Sequence, residues 1–126
     1  MKKTTLIVLL GLLVAGACNP MKNNPLLEEY NTPFKTPPFH LVKTEHFMPA
    51  IKEAMAQHQA EIDAIVNNQD EPTFENTVAA YDRAGDLLSR VSSVFSTLNS
   101  ANTNEKLQAL AREMTPLLTR HRNEIQ

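Results

Sequence analysis

The four histidines are the residues of this chain whose side chains could best bind a catalytic metal. They are His40, His46, His58 and His121. A helical zinc site needs two histidines four residues apart with a glutamate beside the first, so that both imidazoles face one ion. None of the intervals between these histidines gives that geometry. We therefore predict that each is hydrogen-bonded or solvent-facing, and that this chain contains no catalytic or metal-binding residue.

Other catalytic chemistry has no better candidates. The chain has only three glycines and no Gly-x-Ser-x-Gly turn, so neither a phosphate-binding loop nor a serine nucleophile elbow is indicated. The acidic pairs Glu28–Glu29 and Asp70–Glu71 lie in loop-like segments with no sign of burial. The net charge is −2, and the arginines are scattered over helical positions together with acidic residues. Because nucleic-acid binding requires a concentrated basic face, we predict no nucleic-acid partner.

The first residues have the pattern of an export signal. Lys2 and Lys3 precede an apolar and small-residue run at 6–17, which is too short for the roughly 20 helical residues that cross a bilayer. Ala15 and Ala17 fit ordinary signal peptidase cleavage. Small residues directly before the only cysteine, Cys18, also resemble the lipobox of bacterial lipoproteins, although most lipoboxes have Leu where Ala15 stands.

We favour lipidation of Cys18, because the single cysteine lies at the one position where lipid attachment needs it. The interpretation predicts a signal peptide at 1–17 and an exported lipoprotein anchored in a membrane, facing the periplasm or the cell surface. Each acyl methylene that is buried in the bilayer contributes about 0.8 kcal/mol to membrane binding, and this holds the protein on the membrane. An incidental thiol is the alternative.

Residues 18–43 are predicted to be a lipidated tether followed by an extended segment, because five of the eight prolines fall between positions 19 and 43. The part around Asn23 and Asn24 could serve as the tether. The later part is too apolar for a pure linker and is expected to lie along a protein surface, through Leu26, Leu27, Tyr30, Phe34 and Phe39.

The rest of the chain predicts an all-α fold of about three long helices. The first begins at Thr44, with Pro49 in its first turn, and ends near Asn67 or Asn68. The second begins with Thr73 as N-cap and runs past Gly85 to about position 98 as one helix. Glycine inside a helix costs up to about 1 kcal/mol against alanine, so a close helix contact is expected there.

The third helix is predicted to open at Asn102 or Thr103, where Asn102 and Glu105 have a capping-box spacing. Pro116 should kink it or start a new helix capped by Thr115. Short connections favour an antiparallel, up-down-up array. The apolar stripe still continues at the last residues without a stop signal, so we expect 44–126 to be an incomplete helical region of a longer protein.

A hexapeptide at the start of the second predicted helix consists of Pro72, Thr73, Phe74, Glu75, Asn76 and Thr77. Asn24-Pro25-Leu26 stands upstream of it, and Gly85-x-Leu87-Leu88-x-Arg90-Val91 follows downstream. In this order the motifs resemble the N-terminal helical region of the thimet oligopeptidase family of zinc metallopeptidases, and the downstream motif looks most like the bacterial peptidyl-dipeptidase branch of that family.

The resemblance implies a function located mostly elsewhere. In that family the N-terminal helices form one wall of a substrate channel, and a zinc ion held by a distant His-Glu-x-x-His motif removes C-terminal dipeptides from oligopeptides. No residue here matches those ligands, so this piece would be catalytically inert and would bind no zinc itself. Its packing contacts would be Phe74, Tyr81, Leu88, Phe95 and Leu118. The alternative is a free-standing helical lipoprotein that binds a protein partner through an exposed apolar stripe.

Overall fold

The computed structural model describes residues 23–125, and in that range the fold is all-α without strands, which confirms the predicted class. The predicted signal peptide at 1–17 and Cys18 lie outside the described residues. A short 3-10 helix precedes the main helices, and a π-helical segment leads into α2. The elements are the 3-10 helix Pro33–Lys35, α1 Thr44–Val66, the π-helical segment Phe74–Ala79, α2 Ala80–Arg83, α3 Asp86–Ala101 and α4 Glu105–Ile125.

Helix α1 has nearly its predicted limits and buries one face. Phe47 and Ile51, one turn apart, are almost completely buried, and Met55 packs against the same cluster. The period of three and four residues explains this, since it places side chains on one side of a helix. Pro49 lies in the second turn rather than in the first as predicted, and the helix continues through it.

The prediction of one continuous second helix is wrong. The structure breaks it after Arg83: Ala84 is extended, with φ −63° and ψ 132°, and Gly85 has φ 82°. A left-handed conformation costs a residue with a Cβ roughly 1–2 kcal/mol, which glycine avoids. The expected close contact at Gly85 is confirmed, because a Cβ there would lie 3.1 Å from the His58 ring.

Helix α4 begins slightly later than predicted. Asn104 is its N-cap, and its Oδ1 accepts hydrogen bonds from the N–H groups of Lys106 (3.0 Å) and Leu107 (3.1 Å). The predicted cap at Asn102 or Thr103 is therefore wrong by one or two residues. The helix passes through Pro116 as a single element, so the suggested new helix at that point does not form.

The helices α1 and α3 run antiparallel. Phe47, near the start of α1, meets Phe95 in the second half of α3, with 5.1 Å between the ring centroids and an edge-to-face angle of 76°. At the other end, the His58 ring of α1 lies beside Gly85, directly before α3. Edge-to-face aromatic pairs contribute about 0.5–1.5 kcal/mol beyond their buried area. This contact therefore fixes the register of the two helices.

Helix α4 packs on α1 in the same direction and completes the up-down-up order. Leu110, in its first half, shares the core cluster with Phe47, whereas His121, in its second half, contacts His58. One hydrophobic cluster joins the three long helices and the N-terminal segment. Its buried members are Leu26, Phe47, Ala50, Ile51, Val91, Val94, Phe95, Leu107, Leu110 and Met114.

The proline-rich segment is docked on the helices rather than free. Asn24 is 1% exposed; its Nδ2 donates to the His46 carbonyl (2.8 Å), and its Oδ1 accepts from the Leu26 N–H (3.1 Å). The proposed tether is therefore wrong at Asn24. The predicted packing of the later part is confirmed for Leu26 and Tyr30, which are buried, but not for Phe34, which is 98% exposed.

Candidate functional site

The hexapeptide that carries the family resemblance forms a helix start. Thr73 is the N-cap, as predicted: its Oγ1 accepts from the Asn76 N–H (3.1 Å), and the Asn76 Oδ1 accepts from the Thr73 N–H (2.7 Å). The Asn76 amide also donates to the Glu71 carbonyl at 2.9 Å. Sequence reasoning named Glu75 rather than Asn76 as the supporting residue. Glu75 does lie in the first turn, where a carboxylate favours the positive end of the helix dipole.

An apolar stripe beyond this cap faces solvent. We call Phe74, Val78 and Tyr81 the exposed stripe; they are 68%, 54% and 60% exposed. Phe74 and Tyr81, which the resemblance implies are packing contacts, do not join the buried cluster of the described residues, so for the longer protein that role stays a prediction. Phe95 is buried as expected, and Leu88 and Leu118 pack against the core. Exposed apolar residues at helical spacing form a candidate contact surface for a polypeptide, a ligand or a membrane.

Two histidines from distant parts of the chain meet between α1 and α4. His58 Nδ1 and His121 Nε2 are 3.0 Å apart, and the ring centroids are separated by 5.1 Å. One ring nitrogen must donate and the other must accept, so the hydrogen bond forms only while at least one ring is neutral. The pairing gives one ring nitrogen of each side chain a partner, and no local pattern could reveal it because 63 residues separate them.

Burial lowers the pKa of His121, and the neighbouring His58 lowers it further, while the Glu124 carboxylate acts in the opposite direction. The imidazole of His121 is 5% exposed and therefore favours its neutral form near neutral pH. Such a histidine serves as a buried hydrogen-bonding group rather than as a surface charge.

Glu61 ties α1 to the break before α3. Its Oε2 accepts from the Gly85 N–H at 2.8 Å, and its Oε1 accepts from the Gln57 amide at 2.8 Å. Burial alone would raise the pKa of Glu61, but these two hydrogen bonds and the nearby His58 hold it below its usual value. The ionised carboxylate thus satisfies a backbone donor that the helix break leaves unpaired.

An open cavity of about 510 Å³ adjoins the histidine pair. It lies between α2, the start of α3 and the end of α4, and its wall includes His58, Tyr81, Leu88, Leu118 and His121. The cavity has the size of a small-molecule pocket, but it lacks a nucleophile paired with a base.

The remaining predicted candidates do not come together. His46 accepts the Lys43 N–H on its Nδ1 at 3.1 Å and caps α1, while His40 is exposed. Within residues 23–125 no three histidine, cysteine, aspartate or glutamate side chains are grouped so that they could hold a metal ion. None of the helices in that range combines the length and the apolar character that crossing a membrane requires.

Comparison with known proteins identifies relatives of this helical array, although no family model matches the chain. Dipeptidyl carboxypeptidase of Salmonella typhimurium is 41% identical over 105 residues, which is 83% of this chain. Dipeptidyl carboxypeptidase of Escherichia coli is 39% identical over 102 residues, and oligopeptidase A of Salmonella typhimurium is 34% identical over 98 residues. The chain is homologous to peptidases of the thimet oligopeptidase family.

The homology confirms the resemblance found in the sequence, but it covers a small share of each relative. The chain spans only about 15% of the length of the two dipeptidyl carboxypeptidases. The matched part contains no set of metal ligands among the described residues. The helical array is therefore related to peptidases through a minor part of their length.

Proposed function

We propose that this chain is the N-terminal helical part of an exported zinc metallopeptidase that removes C-terminal dipeptides from oligopeptides, and that it forms one wall of the substrate channel. The observation that carries the proposal is the 41% identity over 83% of this chain to a protein named dipeptidyl carboxypeptidase. In the complete protein, zinc would polarise the scissile peptide carbonyl. The histidines of this chain do not fit as its ligands, so the metal site belongs to another part.

The exposed stripe of Phe74, Val78 and Tyr81 supports a role within a larger protein. Three large apolar side chains at helical spacing face solvent in this chain, although the stripe begins inside a well-capped helix start. Apolar surface of this kind is stabilised when another polypeptide covers it. The chain itself contributes packing and shape, and the catalytic chemistry lies elsewhere.

A second candidate function is a free-standing helical lipoprotein that binds a protein partner through the same exposed stripe. The exposure of Phe74 favours this candidate as much as the first. The gene sequence downstream of the Gln126 codon distinguishes the two. An in-frame continuation that reaches a His-Glu-x-x-His motif supports the peptidase wall. A stop codon directly after Gln126 contradicts it and supports the free-standing lipoprotein.

We predict that the purified chain alone releases no dipeptide from an N-acylated peptide substrate, with or without added zinc. The physical reason is the lack of a grouped ligand set in residues 23–125. Mass spectrometry of the peptide products measures the release, and a dipeptidyl carboxypeptidase such as the relative from Escherichia coli serves as the positive control. Zinc-dependent turnover by the chain would overturn the assignment of an inert wall.

Export and anchoring are a separate part of the proposal. We expect Cys18→Ala to abolish incorporation of labelled fatty acid and retention in the membrane fraction, because Cys18 is the only thiol that could accept a lipid. Ala17→Ser is the matched control, since it keeps a small residue beside the cysteine and should preserve labelling. Continued acylation of the Cys18→Ala chain would refute the lipoprotein assignment.

A further inference from the structure

A second cavity, of about 420 Å³, lies between the proline-rich segment and α3. Its volume is within the range of small-molecule sites in proteins. It is separate from the histidine pair and from the exposed stripe, and it does not depend on the proposed function. Its wall combines aromatic, aliphatic and cationic side chains, among them Tyr30, Lys35, Pro37, Phe39, Arg90 and Val94.

Two polar atoms of this wall are buried without a hydrogen-bond partner among the described residues: the Tyr30 hydroxyl and the Arg90 Nε. The guanidinium carbon of Arg90 lies 4.8 Å from the centre of the Tyr30 ring, so the two groups are neighbours. The Arg90 Nη2 makes only a long contact of 3.4 Å with the Leu26 carbonyl. Buried polar groups are normally hydrogen-bonded, so two adjacent unpaired donors indicate that an acceptor is missing.

Both unpaired groups can donate at neutral pH. Burial raises the pKa of Tyr30, an effect that the Arg90 charge only partly offsets, so the phenol keeps its proton. Arginine stays charged and cannot accept a hydrogen bond. Two donors on neighbouring side chains, one of them cationic, suit an anionic oxygen acceptor such as a carboxylate, and charge-assisted hydrogen bonds are the stronger kind.

The surrounding charges and apolar groups further restrict which class of ligand fits the cavity. Lys35 adds a second cation at the rim, and Glu29 is the one carboxylate among the lining residues. Pro37, Phe39 and the buried Val94 give the cavity an apolar side. An inorganic anion would leave the apolar side of the cavity unfilled. A ligand with an apolar group next to its carboxylate would contact both that side and the two donors.

We propose that this cavity binds a carboxylate that carries an apolar group, with Tyr30 and Arg90 as its hydrogen-bond donors. Such a ligand could be the C-terminal residue of a peptide or a free aromatic acid, which share this chemistry. Because neither donor atom touches solvent in the structure, binding includes a shift of the rim. The rim contains Lys35, whose backbone has a left-handed φ of 54°.

The test is a titration of the full 126-residue chain, ¹⁵N-labelled and held in detergent micelles, followed by NMR at the arginine Nε–H resonances. Arg90→Lys identifies the Arg90 resonance by its disappearance. N-acetyl-alanyl-phenylalanine is the peptide probe, its C-terminal amide is the neutral control, and 3-phenylpropionate is the free acid. We expect a saturable shift of the Arg90 signal with the carboxylate probe and none with the amide.

The variant that decides the assignment is Tyr30→Phe, which removes one hydroxyl and keeps the ring. A lost hydrogen bond to a charged acceptor should weaken binding by about tenfold. Tyr81→Phe is the matched control, because Tyr81 is the only other tyrosine and lies outside this cavity. Circular dichroism verifies that each variant keeps its helices, and Tyr30→Phe remains informative if Arg90→Lys fails to fold.

The two ligand sources are distinguished by the same titrations. Binding of the peptide but not of the free acid supports recognition of a peptide C-terminus, and binding of both supports a site for apolar carboxylates in general. Equal binding of the amide would overturn the proposal, as would a titration without any shift of the Arg90 signal. Binding that Tyr30→Phe leaves unchanged would also overturn it.

Discussion

At the scale of single residues, Gly85 has the largest structural role in this chain. Its left-handed backbone ends α2, its N–H is held by Glu61, and its missing side chain leaves room for the His58 ring. These three demands meet at one position, and only glycine satisfies all of them. The loop between α2 and α3 therefore depends on this residue rather than on its neighbours.

We predict that Gly85→Ala destabilises the chain by about 1–2 kcal/mol from the left-handed conformation, with a further cost from the 3.1 Å approach to His58. Urea denaturation followed by circular dichroism measures the free energy of unfolding. In the double variant with His58→Ala, the part of the destabilisation that comes from the close approach to the His58 ring should be absent. Ser96→Ala, at an exposed position of α3, is the control and should change stability by less than about 0.5 kcal/mol. An unchanged Gly85→Ala chain would contradict this account.

Local capping chemistry shows how far sequence reasoning reaches at this scale. The Thr73 cap was predicted correctly, because a threonine cap depends only on residues within one turn. At α4 the same chemistry was ambiguous, since Asn102, Thr103 and Asn104 are consecutive and all good N-caps. The structure selects Asn104. Packing of Leu107 into the core sets the register of the helix, and that contact is not local.

At the scale of helices, the contact between α1 and α4 depends on two imidazoles. The apolar residues of both helices pack near the start of α1, whereas its second half meets α4 through His58 and His121. His121 lies on the inner face of α4 with 5% exposure, which agrees with the prediction that it is hydrogen-bonded. The partner could not be predicted, because a helical period says which face is inward and not what lies opposite.

This pairing predicts a pH dependence of stability. Because the pKa of His121 is lowered in the folded state from its ordinary value of 6.5, the unfolded chain binds more protons once the pH falls below that value. Stability is therefore complete above about pH 6.5 and decreases on acidification, by at most about 1.4 kcal/mol per pH unit for one proton. Urea denaturation at roughly half-unit steps between pH 7.5 and pH 5 gives the free energy of unfolding at each pH. The slope of this free energy against pH is the quantity to compare.

Two variants isolate the contribution of His121. His121→Phe removes the titrating group and keeps a buried ring, so the slope between these pH values should become flatter. His40→Gln alters an exposed histidine and should leave the slope unchanged. The lowered pKa of Glu61 acts in the same direction, but only below its ordinary value of 4.5, so the two effects occupy different pH ranges. A slope that His121→Phe does not alter would refute the role of the pair.

At the scale of the whole molecule, the chain divides its apolar residues between a buried cluster and the exposed stripe. The sequence predicts one continuous second helix from Thr73 to about position 98, and therefore one apolar face along it. The break at Gly85 separates that face into two parts. Val91 and Phe95 after the break are buried, whereas Phe74 before it is 68% exposed. Residues on both sides of the break are helical, but the conformation of Gly85 decides which part joins the core.

The division predicts opposite results for two phenylalanines. Phe95→Ala removes the edge contact with Phe47 and should destabilise the chain by about 3–5 kcal/mol, while Phe74→Ala should cost less than about 0.5 kcal/mol. A small domain has only about 5–15 kcal/mol of stability, so Phe95→Ala can unfold a large share of the chain. Phe95→Leu is therefore measured as a milder variant, with an expected destabilisation of about 1 kcal/mol. Denaturant unfolding of this chain measures all three.

In a longer peptidase of the proposed kind the cost of Phe74→Ala should rise, because the exposed stripe would then be covered. An equal, small cost in both proteins would show that the stripe stays in solvent, and the channel-wall proposal would lose its structural support.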